Sequence, residues 1–151
     1  MTAEKHTFTD LDTLIPRVHD LFDSWERDDR FAPALESSTL HRVKLAVHEW
    51  LANLVQHAYF NSHDPQVSLA IELSEEGVRC SIRDNSDGFN LDEELTIRAT
   101  SLESLPERGM GLLMLQACTE DLSYKRLNGS VQQLDFVVST QHDPWLKIQF
   151  S

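Results

Sequence analysis

Residues 48–58, HEWLANLVQHA, combine an apolar helix face with a polar stripe. Glu49, Asn53 and His57 recur every four residues, and a step of four advances a side chain by only about 40° around an α-helix, so the three face one volume. The neighbouring arc is wide and apolar, as in helices that dock on a sheet. Its members are Leu40, Val43, Val47, Trp50, Leu51, Leu54, Val55 and Ala58. The stripe is predicted to border the core, and both a solvated face and a ligand site are open readings of it.

Composition limits the class of protein. With 151 residues, of which 40% are hydrophobic, the chain is long enough for one compact domain, predicted to span residues 1–151. Thirteen Lys and Arg residues oppose 25 Asp and Glu residues, and the formal net charge of -12 argues against direct nucleic-acid binding. No segment approaches the roughly 20 apolar residues of a membrane span, and no secretory signal is recognisable at the N-terminus. These features favour a cytoplasmic protein without a membrane partner.

Cysteine and histidine usage gives no metal framework. Cys80 and Cys118 both lie in apolar surroundings, which predicts buried thiols rather than a disulfide or a metal pair. A zinc protease motif would need His-Glu-x-x-His, but Ala52 stands where the second His should be. His48 and His57 also point about 180° apart on a helix. The histidines are therefore expected to be solvated or structural.

Hydrophobic periodicity predicts an α+β fold. Helices are expected at Leu11 to about Arg27, at Ser37 to about Asn61, and at Gly111 to about Cys118. Strand patterns occupy residues 6–9, 67–73, 78–84, 121–127, 130–139 and 145–150. The turn at 74–77 predicts a hairpin, and residues 90–108, which lack a period, predict a loop. Helices grouped early and strands grouped late favour a two-layer α/β sandwich, with a mixed, mostly antiparallel sheet covered on one face by helices.

A second polar cluster, residues 84–89 (DNSDGF), follows directly after a predicted strand. Asp, Asn, Ser and Gly all favour tight turns, and a turn alone would explain the segment. The alternative is a binding pocket, in which Asp84 accepts the exocyclic amine of an adenine and Gly88 lets a flat ligand approach the backbone. Both interpretations are open from this segment alone.

A third cluster, residues 108–112 (RGMGL), precedes a predicted helix. Free amides and the positive end of the helix dipole favour an anion such as phosphate at a helix start. Met114 replaces the third Gly of a dinucleotide fingerprint, and the chain contains no Gly-x-x-x-x-Gly-Lys loop. A phosphate site of another type and a flexible helix entry are the remaining readings.

The three clusters, in this order, resemble the GHKL ATPase superfamily, which includes gyrase, MutL and the sensor histidine kinases. Glu-x-x-x-Asn, Asp-x-x-x-Gly-Phe and Gly-x-Gly-Leu are the motifs that carry the resemblance. His57-Ala58 and ERGMGLLML are most similar to the anti-sigma-factor serine kinases of the RsbW type. The resemblance covers about residues 6–138 and implies the Bergerat version of the α/β sandwich.

The resemblance also implies roles for individual residues. Glu49 would be the general base that acts on the attacking serine hydroxyl, and Asn53 would hold Mg²⁺. Adenine contacts would come from Asp84 and Gly88. Positions on the phosphate side and in the lid would be His57, Arg108, Gly109, Met110, Gly111 and Leu112.

The function implied is that of a protein serine/threonine kinase that uses ATP and Mg²⁺. Its partners would be a sigma factor, which it sequesters, and an anti-sigma antagonist of the STAS type, which it phosphorylates; the resemblance also implies a homodimer. Two alternatives stay open: a non-catalytic module whose nucleotide fixes the conformation shown to a partner, and a detached histidine-kinase catalytic domain.

One position departs from the family pattern. The superfamily usually reads Asp-x-Gly-x-Gly, whereas the first Gly is here Ser86. If this position needed a positive φ, Ser would cost on the order of 1 kcal/mol, and adenine affinity would fall. Residues 139–151 have no counterpart in the family, so an added strand, a dimer contact and a surface tail are all open for them.

Overall fold

The computed structural model describes residues 3–28, 37–58, 60, 64–73, 77–87, 115–128 and 131–139. Two helices and five strands occupy most of these residues. In chain order they are β1 (Ala3–Phe8), α1 (Leu11–Arg27), α2 (Ser37–His57), β2 (Val67–Leu73), β3 (Gly77–Asp84), β4 (Glu120–Asn128) and β5 (Val131–Ser139). A short helical stretch at 115–118 precedes β4. The expected loop at 90–108 and the expected strand at 145–150 lie outside the described residues.

The five strands form one sheet in the order β1-β2-β3-β5-β4. All four pairings between these strands are antiparallel. The α+β class is thus confirmed. The prediction was a mixed, mostly antiparallel sheet, and the sheet of the described strands is purely antiparallel. The hairpin of β2 and β3 is also confirmed, with Val67 opposite Asp84 and Leu73 opposite Val78.

Two element boundaries differ from the predicted ones by three residues or more, and the other differences amount to one residue. β1 begins at Ala3 rather than His6, because its backbone pairs with β2 along its whole length, from Ala3 opposite Glu72 to Phe8 opposite Val67. Such pairing overrides the weak strand propensity of Ala-Glu-Lys. α2 ends at His57 rather than Asn61, and its last turn is closed by the Ala58 amide, which donates to the carbonyl of Leu54 at 3.0 Å.

α1 lies beside α2 and is joined to it by polar contacts as well as by apolar packing. The side chain of Asp10 caps α1 by accepting from the Asp12 amide at 3.0 Å. His19 Nε2 lies 2.9 Å from His48 Nδ1, and burial lowers the pKa of His19, which favours the neutral ring that this hydrogen bond needs. One turn away on each helix, Lys44 and Asp23 form a 3.0 Å ion pair.

The core lies between the helices and one face of the sheet. Seven of the eight residues of the predicted apolar arc of α2 belong to it or pack against it. The exception is Val55, which is 37% exposed because it lies about 80° from Val47, at the edge of the arc. Cys80 and Cys118 are buried and form no disulfide, as predicted. Neither described helix is long and apolar enough to cross a membrane.

A Gly77→Ala substitution should destabilise the fold. Gly77 has φ 147°, and a Cβ there would lie 2.2 Å from the backbone oxygen of Val138 on the adjacent strand. Because neither backbone can move without disturbing the pairing of β3 with β5, we expect the free energy of unfolding to fall by about 1–3 kcal/mol. Urea denaturation measures this change. A Ser68→Ala variant on the outer face of β2 serves as control, and equal stability of Gly77→Ala and the wild type would contradict the prediction.

Candidate functional site

The polar stripe of α2 lies next to the helix face that packs on the sheet. Trp50 is fully buried, whereas Glu49 and Asn53 are half-buried. Asn53 follows Trp50 by three residues and Glu49 by four, so these side chains are neighbours on the helix surface. His57 ends α2, but its side chain lies outside what the structure describes. The predicted position of Glu49 and Asn53 at the border of the core is confirmed.

Neither polar group of the stripe is engaged by another described residue. The Asn53 Nδ2 atom is buried and has no hydrogen-bond partner among the described residues. A buried amide left in this state costs about 1–3 kcal/mol, which a ligand or water would recover. Within the same residues, the Glu49 carboxylate has no hydrogen bond or ion pair. The Nδ2 donor is open to an oxygen of a ligand, the amide oxygen of Asn53 is of the type that Mg²⁺ prefers, and the Glu49 carboxylate one turn away suits a base.

Asp84 lies at the end of β3, and only 1% of its surface is exposed. Its Oδ1 atom accepts from the Ser86 amide at 3.0 Å and from the Ser86 hydroxyl in a short hydrogen bond. Its Oδ2 atom accepts from the Tyr124 hydroxyl at 3.5 Å, at the long limit for such a bond. Burial raises the pKa of Asp84, although the hydrogen bonds from Ser86 and Tyr124 oppose the rise. Oδ2 is therefore the oxygen with more capacity for an added donor such as an exocyclic amine.

The backbone strain that a positive φ would cause at Ser86 is absent, because the condition for it is not met. Asp121, with φ 54°, is the single described residue other than glycine with a positive φ. Ser86 thus adopts an ordinary backbone conformation, in which a Cβ costs nothing. Its hydroxyl instead orients the Asp84 carboxylate, and no loss of adenine affinity follows from backbone strain at this position.

Tyr124 links the stripe of α2 to Asp84, and the sequence analysis missed it. Its ring packs edge-on against Trp50, with centroids 4.9 Å apart and an interplanar angle of 61°. Burial and the nearby Asp84 carboxylate raise the pKa of Tyr124, so its hydroxyl stays a donor at neutral pH. The contacts from Trp50 to Tyr124 to Asp84 tie α2, β4 and β3 together at one end of the sheet. Alternation in β4 signals an inward Tyr124, but only the strand order places it beside Asp84.

Gln132 is a second residue that the sequence analysis missed. It lies opposite Asp84 on β3 and opposite Arg126 on β4, and it is 3% exposed. Its Oε1 atom is buried and has no partner among the described residues. The available signal was its place in the apolar phase of β5, where Leu134 and Phe136 alternate with it. Gln132 therefore adds an amide oxygen with spare acceptor capacity next to the Asp84 carboxylate.

Gly88 and the segment with Arg108, Gly109, Met110, Gly111 and Leu112 lie outside the described residues. Their contacts with a ligand stay predictions. The described part of the site has its polar groups on α2, at the end of β3, and on the inward faces of β4 and β5.

Comparison with known proteins gives agreement at the level of family and fold. The family model described as histidine kinase-like ATPase domain matches residues 11–137. The serine-protein kinase RsbW of Bacillus subtilis (strain 168) is 25% identical over 92 residues, covering 58% of this chain and 58% of that protein. RsbW of Oceanobacillus iheyensis is 24% identical over 99 residues, covering 60% and 61%. The match therefore spans about three fifths of the length of these curated relatives.

A solved structure agrees with the fold. The histidine kinase domain from the Erythrobacter litoralis EL346 blue-light activated histidine kinase has a TM-score of 0.53 and 17% sequence identity. The match covers 89% of this chain and 64% of that one. At this level of identity, the likeness supports the predicted two-layer architecture.

Proposed function

Because the chain belongs to the histidine kinase-like ATPase family, we propose that it is an ATP-dependent protein serine/threonine kinase of the anti-sigma-factor type. In this proposal it binds a sigma factor, phosphorylates a STAS-type antagonist and acts as a homodimer. The similarity to the RsbW serine-protein kinases supports the choice of serine or threonine as acceptor.

The contact chain from Trp50 through Tyr124 to Asp84 is the observation that supports the proposal best. It ties the helix that carries Glu49 and Asn53 to the strand end that carries Asp84. A nucleotide whose adenine meets Asp84 would extend its phosphates toward α2. Binding of this kind would bring the metal ligand Asn53, the general base Glu49 and the adenine-binding carboxylate of Asp84 into contact with one nucleotide.

Each residue has a defined task in the proposed reaction. Glu49 would accept the proton of the attacking hydroxyl, and Asn53 would hold Mg²⁺ through its amide oxygen. Asp84 accepts the adenine amine, while Gly88 leaves room for the ring. Mg²⁺, when bound there, would neutralise the phosphate charge that develops during transfer. The remaining phosphate contacts are assigned to His57, Arg108, Gly109, Met110, Gly111 and Leu112.

Labelled ATP distinguishes the proposed kinase from its alternatives. The full chain is incubated with γ-labelled ATP, Mg²⁺ and a candidate STAS protein, and the phosphorylated partner is then treated with acid. We expect an acid-stable label, as phosphoserine and phosphothreonine give. No label should form when Mg²⁺ is chelated before ATP is added. An acid-labile label would instead identify a histidine kinase domain.

The alternative of a pure binding module is tested by calorimetry. If no label is transferred but ADP and ATP still bind in the presence of Mg²⁺, the chain is a nucleotide-dependent binding module. If neither nucleotide binds at millimolar concentration with the metal present, the nucleotide site itself is refuted.

A further inference from the structure

A polar cavity of about 230 Å³ lies on the sheet face opposite to the helices. Thr7, Ser68 and Arg83 line it and are direct neighbours across β1, β2 and β3. The residues that follow or precede them, including Phe8 and Val67, are buried on the helix side. Because side chains alternate along a strand, the three project from the outer face. The cavity is therefore separate from the polar groups of α2.

Two cations line the cavity, in a chain whose formal net charge is -12. They are Lys5 and Arg83. Among the described residues, the side chains of Lys5, Thr7 and Ser68 have no hydrogen-bond or ion-pair partner. Asp84 is the one acid in the lining, but its carboxylate is bound by Ser86 and Tyr124 on the helix side. The cavity thus offers an ammonium group, a guanidinium group and two hydroxyls to a ligand.

The Arg83 guanidinium is held in place by a relay of side chains on the same face. Arg83 Nε donates to Gln133 Oε1 at 2.6 Å. The Gln133 amide in turn donates to both oxygens of Asp135, at 2.9 and 2.8 Å, and Ser81 donates to Asp135 at 2.6 Å. This relay fixes the guanidinium through Nε alone. Its two terminal nitrogens are left for a bidentate contact with an oxyanion.

The end wall of the cavity is also fixed. The Asn85 side chain accepts from the backbone amide of Gln66 and donates to the backbone carbonyl of Asp64, both at 2.8 Å. These bonds join the entry to β2 with the exit of β3. A ligand would therefore meet a wall that is already ordered, which lowers the entropic cost of binding.

We propose that this cavity is a binding site for a phosphate group, either free or as a monoester on a side chain. A phosphate monoester carries about -1.5 to -2 charges at neutral pH, which match the two cations, whereas a carboxylate would neutralise one of them. Its three terminal oxygens suit the paired guanidinium donors, the ammonium group and the two hydroxyls. The proposal does not depend on the nucleotide site, since none of these donors belongs to it.

Backbone NMR of the full chain tests the proposal. Inorganic phosphate is titrated at constant ionic strength against sodium chloride, and a phosphoserine peptide is titrated with its unphosphorylated form as reference. We expect saturable amide shifts centred on Thr7, Ser68 and Arg83. An Arg83→Gln variant should bind about tenfold more weakly or worse, because it loses a charge-assisted fork. The matched control is Arg79→Gln, which removes a cation of the same type from the same face of β3 but outside this cavity.

The outcomes decide both the site and the source of the phosphate. Shifts with phosphate and phosphopeptide support a monoester site, and shifts with phosphate alone support a site for the free anion. Shifts that do not saturate, that occur only around Glu49 and Asn53, or that weaken equally in Arg79→Gln and Arg83→Gln would overturn the proposal.

Discussion

A Glu49→Gln variant should bind ATP as the wild type does but transfer its γ-phosphate to a serine acceptor about 10²-fold or more slowly. Gln retains the size of Glu but cannot take the proton of the attacking hydroxyl. The Glu49 carboxylate has no partner among the described residues, so its replacement should leave the packing of α2 intact. Single-turnover transfer from labelled ATP to a candidate STAS protein measures the rate, and calorimetry measures the affinity.

The matched control is Glu72→Gln, which makes the same change at a half-buried position of β2 that projects from the outer face of the sheet. Its transfer rate should equal that of the wild type. An undiminished rate in Glu49→Gln would remove the base role from this residue. A joint loss of rate and ATP affinity would mean that Glu49 acts in binding.

An Asp84→Asn variant should lose affinity for ADP and ATP by about 10- to 100-fold. A hydrogen bond to a charged group contributes about 1.5–3 kcal/mol, and each 1.4 kcal/mol corresponds to a factor of ten. The Asn oxygen can still accept from Ser86, which places the Asn NH₂ group where Oδ2 was. This NH₂ group is a donor, so it cannot accept a hydrogen bond from the adenine amine. Calorimetric titration with Mg²⁺ measures the change. Asp87→Asn, three residues later and exposed, is the matched control.

The pH dependence of stability separates this binding effect from misfolding. Burial raises the pKa of Asp84 above 3.8, so the folded chain holds this proton more tightly than the unfolded chain does. Its contribution to the free energy of unfolding therefore falls as the pH rises through the window above 3.8. Asn has no titratable carboxyl group, so Asp84→Asn should not lose stability at neutral pH relative to the wild type. Wild-type affinity in this variant would refute the adenine role.

Local patterns were sufficient to predict the two helices and the β2–β3 hairpin. Helical spacing places Glu49 and Asn53 beside a buried face, and alternation marks the inward residues of β2 and β3. The order of the sheet was not accessible in this way, because β5 lies between β3 and β4. The pairing of β5 with β4 is local, since the two strands are consecutive, but the pairing of β5 with β3 is not. Strand order is decided by long-range pairing rather than by residue periodicity.

The same limit applied to the candidate site. Asp84 stood out as a carboxylate at a strand end, but Tyr124 and Gln132 become its neighbours only through the pairing of β5 with both β3 and β4. At Ser86 the sequence suggested a cost, since a family motif has Gly there. The backbone at this residue avoids the left-handed region, and the hydroxyl gained a hydrogen bond instead.

The position of β5 has a consequence for how the protein emerges from the ribosome. Of the five described strands it is the last to be translated, yet it fills the slot between β3 and β4. Until residue 139 has left the exit tunnel, β3 presents an unpaired edge and β4 has no neighbour in the sheet. The nascent polypeptide therefore carries an open, association-prone seam from the emergence of β3 until β5 follows it, and closing that seam is a late event that completes the end of the sheet where Asp84 lies.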